Sequence, residues 1–382
     1  MVMGRLEEIH RVRYPPFEAA RWIPISLPIA EQIHDCGEFD NETKAIQHAM
    51  ERGPGFRLGS EHSWLMQRTY MFDGQTMNVN TETPKLEDAP FVDLVNLQRR
   101  GWYLIPNPIH NILRRFINGV VIVLLLSLFY LFISPILIFF GLPVYGLETV
   151  RWGLLDYPAL AVVVVPLIFA PLVVRVLANL IELRRQTSFL NSKHAQPKIS
   201  FVTPPVANAP LQVNIVFPQK DDSWNQIDVL WRVGVLPPAR EILLHELGRN
   251  PQRQPPPGLS TELPHHWVVG MDDGTAGGED APMEVQEVQG GLYLRPMRIM
   301  ASSDEVRLND GGTTELLPPV GGWPGSVNTD LLRIHWECIV RIDRTKGGPL
   351  LWVEPLLVAH APDTAFVEEL PLHDGRSELD TI

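Results

Sequence analysis

Residues 158–177, PALAVVVVPLIFAPLVVRVL, decide how the rest of the chain is interpreted, because they read either as two buried strands or as one helix in lipid. No charged residue or histidine occurs within 157–174, and none occurs within 116–147. A helix rises about 1.5 Å per residue, so roughly 20 apolar residues cross a hydrocarbon layer about 30 Å thick. Both windows are therefore long enough, and we predict a two-helix transmembrane hairpin over 111–182.

Three residues of the second span affect its helix. Pro166 and Pro171 each remove one backbone donor, but lipid offers the backbone no other partner, so a kinked helix remains favoured. Arg175 can extend its side chain toward the headgroups, which lets the helix continue past it. Two buried strands are the alternative, but neither window alternates in polarity. We place the spans at about 118–141 and 157–179.

Basic residues flank the hairpin on the side of both chain termini. They are Arg99, Arg100, Arg114 and Arg115 before the first span, and Arg175, Arg184, Arg185, Lys193 and Lys198 after the second. The connector between the spans has Arg151 as its one basic residue, together with Glu148 and Asp156. The positive-inside rule therefore predicts a multi-pass protein of the cell (inner) membrane with both termini in the cytoplasm.

Aromatic residues occur at the ends of both spans. Trp102 and Tyr103 precede the first span, while Tyr145, Trp152 and Tyr157 lie in the connector. Because amphipathic rings favour the headgroup region, we expect these five side chains at that depth.

Residues 1–110 predict a small cytoplasmic α+β region. PIAEQIHDCG at 28–37 predicts a short helix, and 41–53 predicts a second helix capped by an asparagine and ended by a glycine. The Asp-Gly pair at 73–74 predicts a tight hairpin turn. A third helix is predicted at 90–101, where a proline begins the segment and a glycine ends it.

Beyond residue 198 the pattern changes to strands. LLRIHWECIVRI at 331–342 alternates over a dozen residues, which is typical of a strand with one buried face and one solvated face in an antiparallel sheet. We expect its solvated face to carry Arg333, His335, Glu337 and Arg341. Similar alternation at 211–217 and 227–235 completes the prediction of an antiparallel β-sandwich over 198–362.

The ending TDLLRIHWECIVRIDRTKGGPLLWVEPLLVAHA at 329–361 resembles arrestin-like and immunoglobulin-like β-sandwich domains, in which a long alternating strand leads through a polar turn to a final strand. The resemblance is to an architecture, and it implies that the module binds other proteins; it brings no catalytic residue with it. An inserted helix at 236–248 and a Pro-rich loop at 250–264 depart from a minimal sandwich. The acidic segment 363–382 predicts a disordered tail.

The motifs that could carry metal chemistry are incomplete. His245 and Glu246 match part of a zinc-protease helix, but position 249 is arginine where the second histidine would be required. His265 and His266 are adjacent, so on a strand they point to opposite faces. We therefore assign no catalytic, cofactor-binding or metal-binding residue.

The sequence also does not support a calcium site, a cysteine–histidine nucleophile pair or nucleic acid as a partner. The acidic, glycine-rich run at 271–284 lacks the oxygen spacing of a calcium loop. His34 and Cys36 diverge on a helix and form no nucleophile pair there. Cys36 and Cys338 form no close pair, which is typical of a reducing compartment. The net charge of −12 argues against nucleic acid as a partner.

The sequence favours a non-catalytic, membrane-anchored cytoplasmic module for protein interaction or scaffolding. Its expected partners are the lipid bilayer and a protein that binds the β-sandwich or the Pro-rich loop, with a homo-oligomer left open. One alternative is a membrane-bound enzyme whose site forms between 1–110 and the sandwich, using residues such as His34, His48, His245 or His265. Another is an accessory subunit of a transport or secretion complex.

Overall fold

The computed structural model describes residues 3–13, 28–87, 99–105, 109–153, 155–192, 194–236, 242, 245–248, 294, 297–363 and 365–370. They form a mixed α+β protein that consists mostly of sheets and has three helices, two of them long and apolar. They divide into two compact units. The described residues before Asn107 and after Asn191 form one unit, which we call the body, and those within Asn107–Asn191 form the other, which we call the helical hairpin.

The first sheet of the body has six strands. They are β1 (Gly4–Arg13), β2 (Ile29–Phe39), β3 (Phe56–Gly59), β4 (Trp64–Phe72), β5 (Gln75–Met77) and β18 (Ala365–Val367), and helix α1 (Glu42–Arg52) follows β2 in the chain. The order across the sheet is β18-β3-β4-β1-β2, with β5 paired to β4.

Helix α1 and the turn before β5 confirm two predictions. The side chain of Asn41 accepts a hydrogen bond of 3.0 Å from the backbone N–H of Lys44, and the helix ends at Gly53, whose φ of 144° disfavours other residues. Asp73 and Gly74 have positive φ angles of 48° and 78°, as a tight hairpin turn requires.

The prediction of a helix at 28–37 is wrong, because these residues form most of β2. Ile29 and Ile33 are four residues apart, a spacing that places them on one face of either a helix or a strand. The neighbouring strand decides between the two, since β2 pairs antiparallel with β1 along its whole length. This pairing is long-range information that the segment itself does not contain.

Two further sheets complete the body. The seven-stranded sheet contains β6 (Gly101–Leu104), β11 (Trp224–Val235), β12 (Arg298–Ser302), β13 (Val306–Leu308), β15 (Val327–Asn328), β16 (Arg333–Arg344) and β17 (Leu350–Leu356). Its main order is β12-β11-β16-β17-β6. The three-stranded sheet contains β9 (Lys198–Phe201), β10 (Leu211–Val216) and β14 (Gly312–Leu316), in the order β14-β10-β9.

Apolar residues fill one face of the seven-stranded sheet, as the alternation predicts. Trp231, Trp336 and Trp352 are among the largest fully buried side chains, and the rings of Trp231 and Trp336 lie 5.0 Å apart between centroids. Burial of each of these side chains contributes about 2–3 kcal/mol to the free energy of folding. The core of this sheet therefore depends on tryptophans from three neighbouring strands.

Strands from both sides of the helical hairpin share the two large sheets. β6, which precedes the hairpin, pairs with β17 and places Trp102 opposite Trp352. β18, near the end of the chain, pairs in parallel with β3. The tail predicted from residue 363 onward thus begins with a strand, while 371–382 lie outside the described residues.

The helical hairpin consists of α2 (Ile109–Phe139) and α3 (Ala159–Asn191), joined by a two-stranded ribbon of β7 (Thr149–Trp152) and β8 (Leu155–Pro158). Both helices are long and apolar enough to span a membrane. Ser127 and Ser134 each donate a 2.8 Å hydrogen bond to a carbonyl of their own helix, so both hydroxyl groups have a partner.

Several predicted segments lie wholly or mostly outside the described residues. They are the helices at 90–101 and 236–248, the Pro-rich loop at 250–264, His265 and His266, and the acidic run at 271–284.

Candidate functional site

A buried carboxylate lies at the centre of the seven-stranded sheet. Glu337 on β16 has no solvent exposure and lies opposite Arg232 on β11. Arg232 donates to one carboxylate oxygen from Nε and Nη2, at 3.1 and 2.9 Å, and Arg99 donates to the other oxygen from Nε. The Nε2 atom of His335 lies 3.2 Å from the carboxylate oxygen that accepts from Arg99. We call these four residues the Glu337 cluster.

The charges of the Glu337 cluster stabilise one another inside the protein. Burial alone would raise the pKa of Glu337, but Arg99 and Arg232 outweigh it and hold that pKa well below its ordinary value. Burial lowers the pKa of His335, so its imidazole is neutral at physiological pH. The cluster therefore has one carboxylate and two guanidinium groups, with a neutral histidine beside them.

The Glu337 cluster corrects the prediction that this face of β16 is solvated. His335 and Glu337 are buried, whereas Arg333 and Arg341 remain partly exposed. The reason is that buried apolar side chains surround these two residues on the same face of the sheet. They form a buried group of Tyr103, Ile105, Leu294, Ile339, Leu351 and Val353.

A second buried carboxylate joins the first sheet to the end of the seven-stranded region. Glu87 contacts the guanidinium of Arg68, which also donates to the carbonyl oxygen of Pro54 at 3.0 and 2.7 Å. Glu87 Oε1 lies 2.7 Å from Nε2 of His360. We call Arg68, Glu87 and His360 the Glu87 cluster.

Backbone contacts fix the histidine of the Glu87 cluster. The N–H of Gly325 donates to Nδ1 of His360 at 3.0 Å, so the ring proton lies on Nε2, where it faces Glu87. The backbone groups of Lys85 and His360 exchange two hydrogen bonds of 2.7 and 3.1 Å. The cluster therefore links a segment before the helical hairpin to a segment after it.

The ionisation of the Glu87 cluster follows from its surroundings. Burial would raise the pKa of Glu87, but Arg68 and then His360 outweigh it and lower the pKa to about 2. Burial lowers the pKa of His360 below its ordinary value. The carboxylate is therefore charged and the imidazole neutral at physiological pH.

Glu8 extends the polar network across the first sheet. Its carboxylate lies 2.8 Å from Nε2 of His10, 2.5 Å from Nε of Arg52 and 3.9 Å from Nη1 of Arg68. Burial alone would raise the pKa of Glu8, but His10 and the two arginines outweigh it and lower that pKa far below its ordinary value. The carboxylate of Glu8 thus joins strands β1 and β4 of this sheet to helix α1.

Two segments of the body that flank the helical hairpin in the sequence meet at Trp102. The indole Nε1 of Trp102, on β6, donates a 3.2 Å hydrogen bond to the carbonyl oxygen of Ala195. The ring of Trp102 also lies 5.9 Å from that of His194 and 5.3 Å from that of Trp352. Trp102 and Tyr103 are both buried within the body.

The histidines proposed for an enzyme site are not joined by any hydrogen bond or ring contact within the described part of the chain. His34 packs against His10, with ring centroids 4.7 Å apart. His48 on α1 packs against Phe39 on β2. His245 is exposed and contacts its neighbour Glu246. His265 lies outside the described residues.

The arrangement as a whole is suited to holding the body together. The carboxylates of Glu8, Glu87 and Glu337 are buried and each is paired with arginine and histidine. Within the described residues, no group of three or more metal-ligating side chains has the geometry to hold an ion. Removing one partner of such a buried pair costs about 3–5 kcal/mol, so these clusters set the stability of the shared sheets.

Sequence reasoning did not find either cluster. Glu337 and His335 read as solvated residues, and Glu87 and His360 are separated by most of the chain. One weak signal exists: Arg99 and Arg100 precede a strand-like segment, GWYL, that adds a strand to the seven-stranded sheet.

No protein-family model matches the chain, and no curated protein matches it.

Proposed function

We propose that the protein is a membrane-anchored interaction module. The helical hairpin crosses the cell (inner) membrane twice, and the body lies on the cytoplasmic side, where it binds a protein partner. Both chain termini then face the cytoplasm.

The lateral surface of the helical hairpin supports the anchor. Phe132 on α2 is 77% exposed and Leu172 on α3 is 60% exposed, and large apolar side chains surround both of them. The apolar segments Arg115–Phe139 and Pro166–Asn191 have 25 and 26 residues, or about 37–39 Å of helix. Soluble proteins rarely expose a continuous apolar surface of this size, whereas lipid tails would cover it.

The hydrogen bond between Trp102 and Ala195 is the observation that carries the topology. Trp102 precedes the helical hairpin and Ala195 follows it, and their atoms lie 3.2 Å apart. A bilayer core is about 30 Å thick, so residues joined in this way lie on one side of it. The chain therefore crosses an even number of times between them, which two spans satisfy.

The distribution of cations favours the cytoplasm for that side. Arg115, Arg184 and Lys198 are exposed near the ends of the helices that join the body. Arg99 and Arg100 are paired with glutamates of the body and so contribute less to orientation than the sequence suggests. The connector still has Arg151 as its one basic residue, which is the bias that the positive-inside rule requires.

We infer that the region after the helical hairpin is an antiparallel β-sandwich formed by the seven-stranded and three-stranded sheets. On β10, Leu211, Val213 and Ile215 are buried, which gives the small sheet one dry face. The indole Nε1 of Trp231, from the core face of the large sheet, donates a 2.6 Å hydrogen bond to the carbonyl of Leu317, directly after β14. Both features are expected when two sheets pack face to face.

The edge strand β2 supports a role in protein interaction. Among the described strands, β2 pairs with β1 alone, so its other edge has free backbone groups. Ile29 and Ile33 on β2 are 46% and 53% exposed. A long edge strand with exposed apolar residues is a common place for a partner to add a strand.

One experiment tests the interaction role with the full-length protein purified from membranes in mild detergent. The wild type should retain a protein partner, and Ile33→Lys should lose it. Val320→Lys is the matched control, because Val320 is also an exposed aliphatic residue of the body, at 90% exposure. Partner retention that Ile33→Lys leaves unchanged, or no partner for the wild type, would argue against the proposal.

A further inference from the structure

The ends of α2 and α3 that join the body carry arginines in two different situations. Arg185 lies 3.3 Å from Glu182, and both side chains are almost fully buried within the helical hairpin. Arg115 and Arg184 are exposed, and neither has a hydrogen-bond or ion-pair partner in the part of the chain that the structure describes. Among the described residues, these two cations at this end are therefore uncompensated.

The two arginines lie at the same depth along the helical hairpin. The connector joins Phe139, the last residue of α2, to Ala159, the first residue of α3. Val120 on α2 and Ala178 on α3 are separated from these two residues by the same number of positions. Val120 and Ala178 are both buried between otherwise exposed neighbours, as expected where antiparallel helices pack at one level.

The number of residues between Arg115 and Phe139 differs by only one from the number between Arg184 and Ala159. At about 1.5 Å per residue, both arginines lie about 36–38 Å from the connector, just beyond a hydrocarbon core about 30 Å thick.

Both side chains face away from the packed side of the helices. Arg115 is two residues after buried Leu113, and Arg184 is two residues after buried Glu182, so each is rotated by about 200° from a packed residue. Each guanidinium is therefore directed to the surface that lipid would cover, at the depth of the headgroups.

We propose that Arg115 and Arg184 each bind the phosphate of an anionic glycerophospholipid in the leaflet next to the body. This inference rests on the proposed insertion of the helical hairpin. The planar guanidinium matches phosphate oxygens with two parallel hydrogen bonds, and an anionic lipid adds the net negative charge that a zwitterionic lipid lacks. Arg185 takes no part, because Glu182 already compensates it.

The test uses the full-length protein in nanodiscs that contain phosphatidylcholine and phosphatidylglycerol. Native mass spectrometry of the released protein measures how strongly phosphatidylglycerol is retained over phosphatidylcholine. Arg115→Gln and Arg184→Gln should each reduce that preference about fivefold, and the double variant should combine the two losses. The control is Arg151→Gln, since Arg151 lies opposite Asp156 in the connector ribbon and should leave the preference unchanged.

The outcomes separate the two proposals. Protein that remains in the nanodisc but shows equal preference in wild type and double variant would overturn the lipid site and leave the anchor intact. An equal loss from Arg151→Gln would also overturn it, since the effect would then be nonspecific. Protein that leaves the nanodisc in plain buffer would instead contradict the anchor itself.

Discussion

The indole Nε1 of Trp102 and the carbonyl oxygen of Ala195 lie 3.2 Å apart, although 93 positions of sequence separate the two residues. Between them the chain forms the whole helical hairpin. This one hydrogen bond lies within the body and joins the segments that precede and follow the helical hairpin in the sequence. It is the reason that we place both ends of the hairpin on one side of a membrane.

Replacing Trp102 by phenylalanine should weaken the body. The ring would still pack against Trp352, but the donor to Ala195 would be lost, at a cost of about 1 kcal/mol plus the smaller ring's lost packing. Urea unfolding in mild detergent measures this. Trp323→Phe is the comparison, because its indole donates to the nearby carbonyl of Val320 and its loss should be of similar size. A Trp102→Phe variant as stable as the wild type would contradict the buried hydrogen bond to Ala195.

Removing the charge of Glu337 should be far more costly. Glu337→Gln leaves Arg99 and Arg232 buried without a counter-charge, so we expect a loss of about 3–5 kcal/mol. The matched variant is Glu305→Gln, since Glu305 is 41% exposed and lies 3.8 Å from Arg341. Its loss should stay below about 1 kcal/mol. Similar losses in both variants would mean that the Glu337 cluster is not enclosed as described.

The buried histidines predict how stability depends on pH. Burial lowers the pKa values of His10, His335 and His360, so the folded state binds fewer protons than the unfolded state as pH falls below the ordinary value of 6.5. Stability should therefore decrease from neutral pH toward about pH 5.

His360→Gln should make that dependence less steep, because one of the three histidines no longer titrates. Urea midpoints at several pH values measure the slope. His245→Gln changes an exposed histidine and should leave the slope as in the wild type. A slope unchanged in His360→Gln would contradict the neutral, buried state of this residue.

The end of the chain offers a test of the shared first sheet. Val367 on β18 is 7% exposed, whereas its neighbour Phe366 is 51% exposed. Val367→Ala should lower the free energy of unfolding by about 2 kcal/mol, and Phe366→Ala should lower it less despite removing a larger side chain. The reverse order would show that β18 does not pack as a strand of the body.

The sequence predicted those features that depend on local pattern. α1 was predictable from Asn41 and Gly53, the turn from Asp73 and Gly74, and the two apolar helices from the absence of charge over long windows. In each case a few neighbouring residues contain the physical cause, namely a cap, a positive φ angle or a hydrophobic length.

The features that could not be predicted depend on partners distant in sequence. β2 became a strand because β1 pairs with it, and Glu337 is buried because Arg99 reaches it from more than two hundred residues away. Alternation in β16 indicated a strand correctly, but it could not show that the polar face of this strand is buried beside apolar residues of β6 and β17. The clusters that join the two flanks of the hairpin were therefore missed.

The most direct test of the two-span anchor measures the side of the membrane reached by each part of the chain. Fusions of green fluorescent protein and of alkaline phosphatase, made in a bacterial host at Ile382 and within the connector at Gly153, report the cytoplasmic and external sides respectively. We predict fluorescence with no phosphatase activity at Ile382, and phosphatase activity with no fluorescence at Gly153. Phosphatase activity at Ile382, or full-length protein that is monodisperse in buffer without detergent, would contradict the anchor.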